Sequence, residues 1–328
     1  MAADTIHAAF RHQASACLAL GSPFTAHLYQ LFAERLVPGG IVANRLLNWT
    51  GDPRPSADSL PLRIAGCLHA LVLEGRDALL STAYPPGAAN DDTLWSMVGH
   101  ACDIHADFIL KRLNSPPQTN EVRRSGALLP GFLTIASLFG KPLVLSEIGA
   151  SAGLNLQWDR YCYRLGDMTW GDPASPVRIE PEWRGNPAPD CAVIVAQRAA
   201  CDLNPLDPGN MDDRLRMLSY IWADQDDRLA RTRAALALAS DNQLTVEKAD
   251  AVDWLKRRLA ERFDDATHVI YHSIAWQYLP KDLQDQGEEL IADAGRLATG
   301  IAPLARLSLE ADGGKDGASL KFARRQSR

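Results

Sequence analysis

Apolar positions change their rhythm about a third of the way along the chain. From Asp4 to about Leu113 they recur at helical spacing, in segments opened by caps or prolines such as Asp4, "SPF" at 22–24 and "DDTLW" at 91–95. That pattern predicts an all-helical region. After Lys141, short runs rich in Val, Ile and Leu ("PLVLSEI", "CAVIVAQ", "QLTVEKA", "THVIYHSI", "LARLSLE") alternate with longer helical stretches. Such alternation predicts a parallel sheet with crossover helices. Residues 166–190, "GDMTWGDPASPVRIEPEWRGNPAPD", hold five prolines and predict an irregular insertion with one short strand at "VRIE". No internal repeat is evident, and the alanine-rich "RTRAALALA" reads as an ordinary helix.

The 328 residues, 46% of them hydrophobic, are ample for a buried core. There is no run of eighteen apolar residues, and "MAADTIHAAFRHQASA" is charged and polar where a signal peptide needs an apolar stretch. A cytoplasmic protein without a membrane span is expected. A net charge of -6 gives no long-range attraction to phosphate backbones, which disfavours nucleic acid and favours a small molecule or a protein as partner. Cys17, Cys67, Cys102, Cys162, Cys191 and Cys201 form no C-x-x-C pair, so neither a zinc site nor a disulfide framework is expected. "HACDIHAD" at 100–107 sets its histidines five apart, whereas helical metal pairs sit four apart, and no metal ligand is assigned. G-x-S-x-G elbows and P-loops are absent from the sequence.

The candidate chemistry begins at "LSEIGASAGLNL", residues 145–156, where a strand-like run meets a turn of small residues. In an open parallel sheet, ligands bind beyond the carboxyl ends of the strands, and the first strand-to-helix turn approaches them most closely. The following segment is expected to be a helix carrying Leu154, Trp158, Tyr161 and Leu165 on one face, its free N–H groups suited to a carboxylate or phosphate. The dinucleotide pattern G-x-G-x-x-G fits poorly, which disfavours a nicotinamide-dependent oxidoreductase. The pattern acid-x-G-x-G-x-G fits better, as Glu147, Gly149, Ser151 and Gly153 with one glycine replaced.

That arrangement resembles the first motif of class I S-adenosylmethionine-dependent methyltransferases. The resemblance implies a Rossmann-like α/β domain, a mostly parallel sheet with helices on both faces, preceded by the all-helical region. It divides the chain into a helical cap region, 1–125, and a methyltransferase-type domain, 126–328, with the insertion at 166–190. It also implies S-adenosylmethionine as cofactor, held by Glu147, Gly149, Ala150, Ser151, Gly153 and Asn155. "CAVIVAQRAACDLNPLD" resembles the family's second strand, whose final acid binds the ribose, here Asp202; carboxylates suit two hydroxyls because both oxygens accept. Asp202 lies 53 positions after Gly149, against about 20 in dinucleotide folds, and the insertion accounts for the delay. Asp167 and Asp172 fit the distance but do not end an apolar strand. "LTVEKADAVDWL" puts Asp250 and Ala251 at the adenine, and "ATHVIYHSIAWQYLP" puts His272 and Ser273 at the reaction centre with Trp276, Gln277 and Tyr278 near it. His272 is the expected general base and Tyr278 a second catalytic candidate, whereas Trp158 and Trp254 are expected in the core.

"SPPQTNEVRRSG", residues 115–126, gathers Gln118, Thr119, Asn120, Glu121, Arg123 and Arg124 before the apolar helix "ALLPGFLTIASLFG". A 14-residue helix is about 21 Å long and a six-residue strand about 20 Å. If the helix runs antiparallel to the first strand, its start returns to the strand's carboxyl end. Thr119, Asn120, Glu121 and Arg124 are therefore expected to contact substrate or cofactor.

Together "PQTNEVRRSGALLPG", "EIGASAGLNLQWDRYCY", "CDLNPLD" and "HSIAWQYLP" resemble a bacterial family of uncharacterised proteins, domain-of-unknown-function family 2332. The resemblance spans nearly the whole chain. Members resemble proteins that continue through further strands, so "LARLSLEADGGKDGASLKF" followed by the basic tail "KFARRQSR" suggests a sheet lacking an edge strand. The methyl acceptor is an unknown small molecule or protein. The rival reading is a non-catalytic metabolite-binding or partner-docking protein with a methyltransferase-like fold.

Overall fold

The computed structural model describes residues 2–314 and 317–325. Its helices are α1 (Ala2–Ala19), α2 (Pro23–Arg35), α3 (Ile41–Leu47), α4 (Leu60–Leu73), α5 (Ala78–Ala83), α6 (Asp91–Ile104), α7 (Ala106–Leu113), α8 (Arg124–Phe139), α9 (Met211–Ser219), α10 (Asp226–Asp241), α11 (Ala251–Ala260) and α12 (Lys281–Leu297). Its strands are β1 (Leu143–Ile148), β2 (Cys162–Leu165), β3 (Met168–Gly171), β4 (Arg178–Ile179), β5 (Val195–Asp202), β6 (Glu247–Lys248), β7 (Thr267–Ser273), β8 (Leu304–Ala311) and β9 (Ala318–Arg325). Two compact units result: Met1–Thr119 with Met211–Ala230, and Asn120–Asn210 with Arg231–Arg328.

The first unit is helical, as the spacing predicts. Pro23 and Pro61 stand in the first turns of α2 and α4, where a missing N–H costs nothing. Asp77 caps α5 through Leu80 N, and Asn90 caps α6 through Thr93 N. From Leu60 to Leu71, α4 is buried at every position but Leu62, which makes it the centre of this unit. Residues 211–230 belong here for reasons invisible in their own spacing. Gly66 on α4 leaves room for the Tyr220 ring, 2.6 Å from where a Cβ would stand. Asp224 accepts hydrogen bonds from Ser22 Oγ and, at 2.8 Å, from Phe24 N.

The second unit is mixed α/β. Its main sheet runs β6-β5-β1-β7-β8-β9, parallel throughout except for the antiparallel pair β8–β9. Every residue of β1 and β7 is buried, as expected for central strands covered on both faces. Neighbouring residues of β8 show the two layers: Leu307 meets Gly131 of α8, while Arg306 pairs with Glu288 of α12. Adjacent strand side chains point to opposite faces, so α8 and α12 cover opposite sides of the sheet.

Three local expectations are corrected. The segment after the glycine turn is a short 3-10 helix, Leu154–Arg160, and Cys162 already begins β2, so Tyr161 and Leu165 share no helix face with Leu154. So short an element offers no helix N-terminus for an anion. The proline-rich insertion supplies the expected short strand at "VRIE" as β4 and also an unexpected β3, both in a second sheet of order β3-β2-β4. Where a missing edge strand is expected, Lys321–Arg325 of the basic tail complete β9 against β8; residues 326–328 lie outside the described residues.

The core on the α8 side is aromatic. Phe132 stacks on Trp158 at 4.2 Å and meets Tyr271 edge-on at 5.1 Å, while Trp170 stacks on Trp158 from the small sheet at 5.5 Å. Phe132→Ala is expected to lower unfolding free energy by about 3–5 kcal/mol, since neighbours on three elements cannot all collapse into the void. Urea titration followed by circular dichroism measures it, and a loss below about 1 kcal/mol would contradict this packing.

Candidate functional site

At the carboxyl end of β1 the chain turns through Gly149-Ala150-Ser151-Ala152-Gly153. Gly149, Ser151 and Gly153 all have positive φ, at 69°, 56° and 70°. A Cβ on Gly149 would stand 2.5 Å from Ala275 Cβ, and one on Gly153 would stand 2.6 Å from Leu244 Cδ2. Glycine is thus required twice at both positions, by conformation and by space. Ser151 holds the same left-handed conformation without being glycine, a strained state that its surroundings must enforce.

Asp202 supplies that enforcement. Its Oδ2 accepts from Ser151 N at 2.8 Å and its Oδ1 from Asn204 N at 2.9 Å, while Cys201 O accepts from Gly149 N and Ala150 N. Each carboxylate oxygen keeps a further acceptor position, so the turn and a ligand can share this residue. Beside it, Ser151 Oγ and Asn155 Oδ1 are buried with no hydrogen-bond partner among the described residues. Unsatisfied buried polar groups are rare in native structures and call for an explanation such as a ligand site.

The polar segment before α8 reaches this turn. Asn120 Oδ1 accepts from Leu154 N at 2.9 Å, Asn155 Nδ2 donates to Glu121 O at 3.2 Å, and Arg124 Nη1 donates to Ser273 O at 2.9 Å. Asn120, Glu121 and Arg124 therefore tie the turn to the end of β7, whereas Thr119 belongs to the helical unit. These bonds are internal to the protein.

Glu147 occupies β1 opposite Tyr271 of β7, with only 1% of its surface exposed. Burial pushes its carboxyl up to about 8; the hydrogen bond from Tyr271 Oη and the charge of Arg124 oppose this, and Asp202 adds to it. Near neutral pH the group is therefore mainly protonated. The turn is offered a carboxylic acid, rather than the negative charge that an acid at this position suggests.

A different carboxylate governs the end of β7. Glu310 of β8 accepts from His272 Nδ1 at 2.6 Å, from Ala275 N and Trp276 N at 3.1 Å each, and from Gln277 N at 3.3 Å. The loop it gathers includes Ile274 at φ 49°, an outlier for a β-branched residue, and carries Ala275 against Gly149. His272 is 1% exposed, and its Nε2 faces Arg306 Nη2 at 3.2 Å. Burial holds the imidazole below its usual range; Glu310 opposes this and Arg306 reinforces it. Both ring nitrogens are engaged internally, so the expected general base has no nitrogen facing a ligand. His272 is instead a neutral link between Glu310 and Arg306.

The remaining candidates separate. Tyr278 is 74% exposed on the same loop. Asp250 caps α11, its Oδ1 accepting from Val252 N and Asp253 N, and Ala251 is buried in the first turn of that helix. Asp167 stands in the turn between β2 and β3 and Asp172 just after β3, neither in the main sheet. Trp158 and Trp254 are core residues, as expected, and Trp276 is buried in the same cluster as Trp254.

A family model described as "Uncharacterized protein conserved in bacteria (DUF2332)" matches residues 7–327. The chain belongs to this family. No curated protein and no solved structure matches the chain. No helix among the described residues is long and apolar enough to cross a membrane. For this DUF2332 chain, sequence reasoning missed Glu310 and Tyr271. Glu310 closes the run "LARLSLE", and period-two alternation sets it on the face of Arg306, but its four donors come from segments more than thirty residues away. The Glu147–Tyr271 pair is a matter of strand register.

Two outcomes test this geometry. Glu310→Gln removes the charge and one acceptor oxygen, so amide exchange at residues 275–277 should quicken by on the order of tenfold or more, read by hydrogen-exchange mass spectrometry. Unchanged exchange would show that the carboxylate does not hold the loop. For Glu147 the folded state retains a proton that the unfolded chain releases at its ordinary value of 4.5, so its contribution to stability is lost as pH rises from there through about 8. Glu147→Gln should flatten this fall in urea-unfolding free energy, and an unaltered pH profile would contradict the raised value.

Proposed function

We propose that the α/β unit binds S-adenosylmethionine at the glycine turn and transfers its methyl group to a small-molecule or protein acceptor. The observation carrying this reading is the position of Asp202, at the end of β5 and bonded to the turn that ends β1. The order β6-β5-β1-β7-β8 reverses direction between β1 and β7, and the crevice at such a switch point is where open α/β sheets bind ligands. Five parallel strands in that order, followed by an antiparallel strand beside the fifth, resemble the Rossmann-like sheet of class I methyltransferases.

The residues present fit the cofactor. Asp202 has acceptor positions left for ribose hydroxyls, the small turn from Gly149 to Gly153 admits close approach of the methionine portion, and Asp250 with Ala251 begins α11 where adenine is expected. Glu147, mainly protonated, can donate a hydrogen bond or ionise opposite an ammonium group. The cofactor would supply an electrophilic methyl group, and the protein's part is to align the acceptor with it, which can contribute much of the rate. Ser273, with its carbonyl tied to Arg124, and exposed Tyr278 edge the loop on the acceptor side.

One observation favours the alternative of a non-catalytic metabolite-binding or docking protein: His272 is locked between Glu310 and Arg306, so the base assigned to it is lost. Calorimetric titration of the full chain with S-adenosylmethionine and its demethylated product distinguishes the possibilities. Micromolar binding is expected, weakened at least about tenfold in Asp202→Ala and less in Asp202→Asn, which keeps one acceptor for the turn. Absence of binding by folded wild type would sink the methyltransferase reading and leave the glycine turn as architecture or a site for another ligand. Binding without methyl transfer across broad acceptor panels would favour the non-catalytic one.

A further inference from the structure

At the opposite end of the strands, where β7 and β8 begin, a cleft of about 200 Å³ opens between the carboxyl ends of α11 and α12. Its apolar walls include Leu259, Phe263, Ala294, Ala298 and Leu304, and the one imidazole lining it is His268. Leu297, also in the lining, is 78% exposed, and Ile301 close by in sequence is 56% exposed. Such apolar surface beside a concave site is a common mark of recognition.

His268 is 6% exposed and belongs to a buried polar chain. Arg258 Nε donates to Ser146 Oγ at 2.9 Å, and Ser146 Oγ lies 2.9 Å from His268 Nε2. Arg258 Nη1 also reaches Glu261 Oε2 at 2.8 Å, and the guanidinium lies over the Phe263 ring at 4.7 Å. Ser146 has a single hydroxyl proton and is fully buried. With Arg258 donating to its oxygen, that proton is satisfied only by donation to His268 Nε2, so the neutral ring carries its own proton on Nδ1. Burial, reinforced by Arg258, lowers the imidazole to about 3, which keeps it neutral at physiological pH.

Nδ1 makes no hydrogen bond to any described residue, and it belongs to a side chain lining the cleft. Arg258 Nη2 behind it is also buried without a partner, so the cluster is not arranged for stability alone. We infer that this cleft is a second binding site, for a small molecule whose apolar body carries an sp2 oxygen, a carbonyl or carboxylate, that accepts from His268 Nδ1–H. Arg258 behind the ring is paired with Glu261 and Arg262 with Asp264, and Glu261 lines the cleft beside Arg262, so the choice of an acceptor over an amine rests on the His268 Nδ1–H donor. The site is independent of the proposed cofactor turn.

Long-range ¹H–¹⁵N spectra of the full chain with labelled histidine test this, with the His268 signals assigned by their loss in His268→Phe. The neutral Nδ1–H tautomer is expected from about pH 5 to pH 8. Millimolar benzoate and acetophenone should shift the Nδ1 resonance, while toluene and benzylammonium should not; a response to only one oxygen-bearing probe would tell carboxylate from carbonyl. Ala294→Leu, which fills the cleft, should abolish the shifts in a protein that still melts cooperatively. Silence towards both oxygen-bearing probes, an equal response to toluene, or shifts that survive Ala294→Leu would overturn the inference.

Discussion

The absence of a side chain at Gly149 is the constraint on which the candidate site depends. With a Cβ there only 2.5 Å from Ala275, the turn after β1 and the loop after β7 could not meet. Because they do meet, the carboxyl ends of the two central strands share one framework. Asp202 grips that framework from β5 through Ser151 N, and Glu310 grips it from β8 through Ala275 and Trp276. Two carboxylates on strands flanking the central pair thus hold two strained residues, Ser151 and Ile274, at the switch point of the sheet.

The acids of this region differ because their surroundings differ. Glu310 is held below the ordinary carboxylate range: burial raises it, but the hydrogen bond from His272 and the backbone donors outweigh that cost. Glu147 has one tyrosine hydroxyl as donor and cannot offset its desolvation, so it keeps its proton. The same contrast divides the histidines. His272 is tied on both sides, whereas His268 is tied through Nε2 alone and lines a cleft.

Such an arrangement is costly for stability. Buried unpaired atoms at Ser151, Asn155 and Arg258 each forgo a hydrogen bond that water would supply in the unfolded chain. They lie near the ends of the parallel strands, while in the aromatic stack of Phe132, Trp158 and Trp170 the rings pack closely and the Trp158 indole N–H is likewise buried without a partner among the described residues.

Local pattern was sufficient for much of this architecture. Helical periodicity before Lys141 and short β-branched runs after it determined the element types, because side-chain direction repeats at 3.6 or at 2 residues whatever the partner. The glycine turn and Asp202 at a strand end were legible for the same reason, and helix length, given an antiparallel course, returned the 120–124 segment to the carboxyl edge. Tertiary structure decided what spacing cannot carry: the register that sets Glu147 against Tyr271, the return of residues 211–230 to the helical unit, the pairing of Lys321–Arg325 as a strand, and the capture of His272 by Glu310 and Arg306. Each depends on groups far apart in sequence meeting in space, and at Glu147 burial also raises the carboxyl to about 8, which the residue type alone would not suggest.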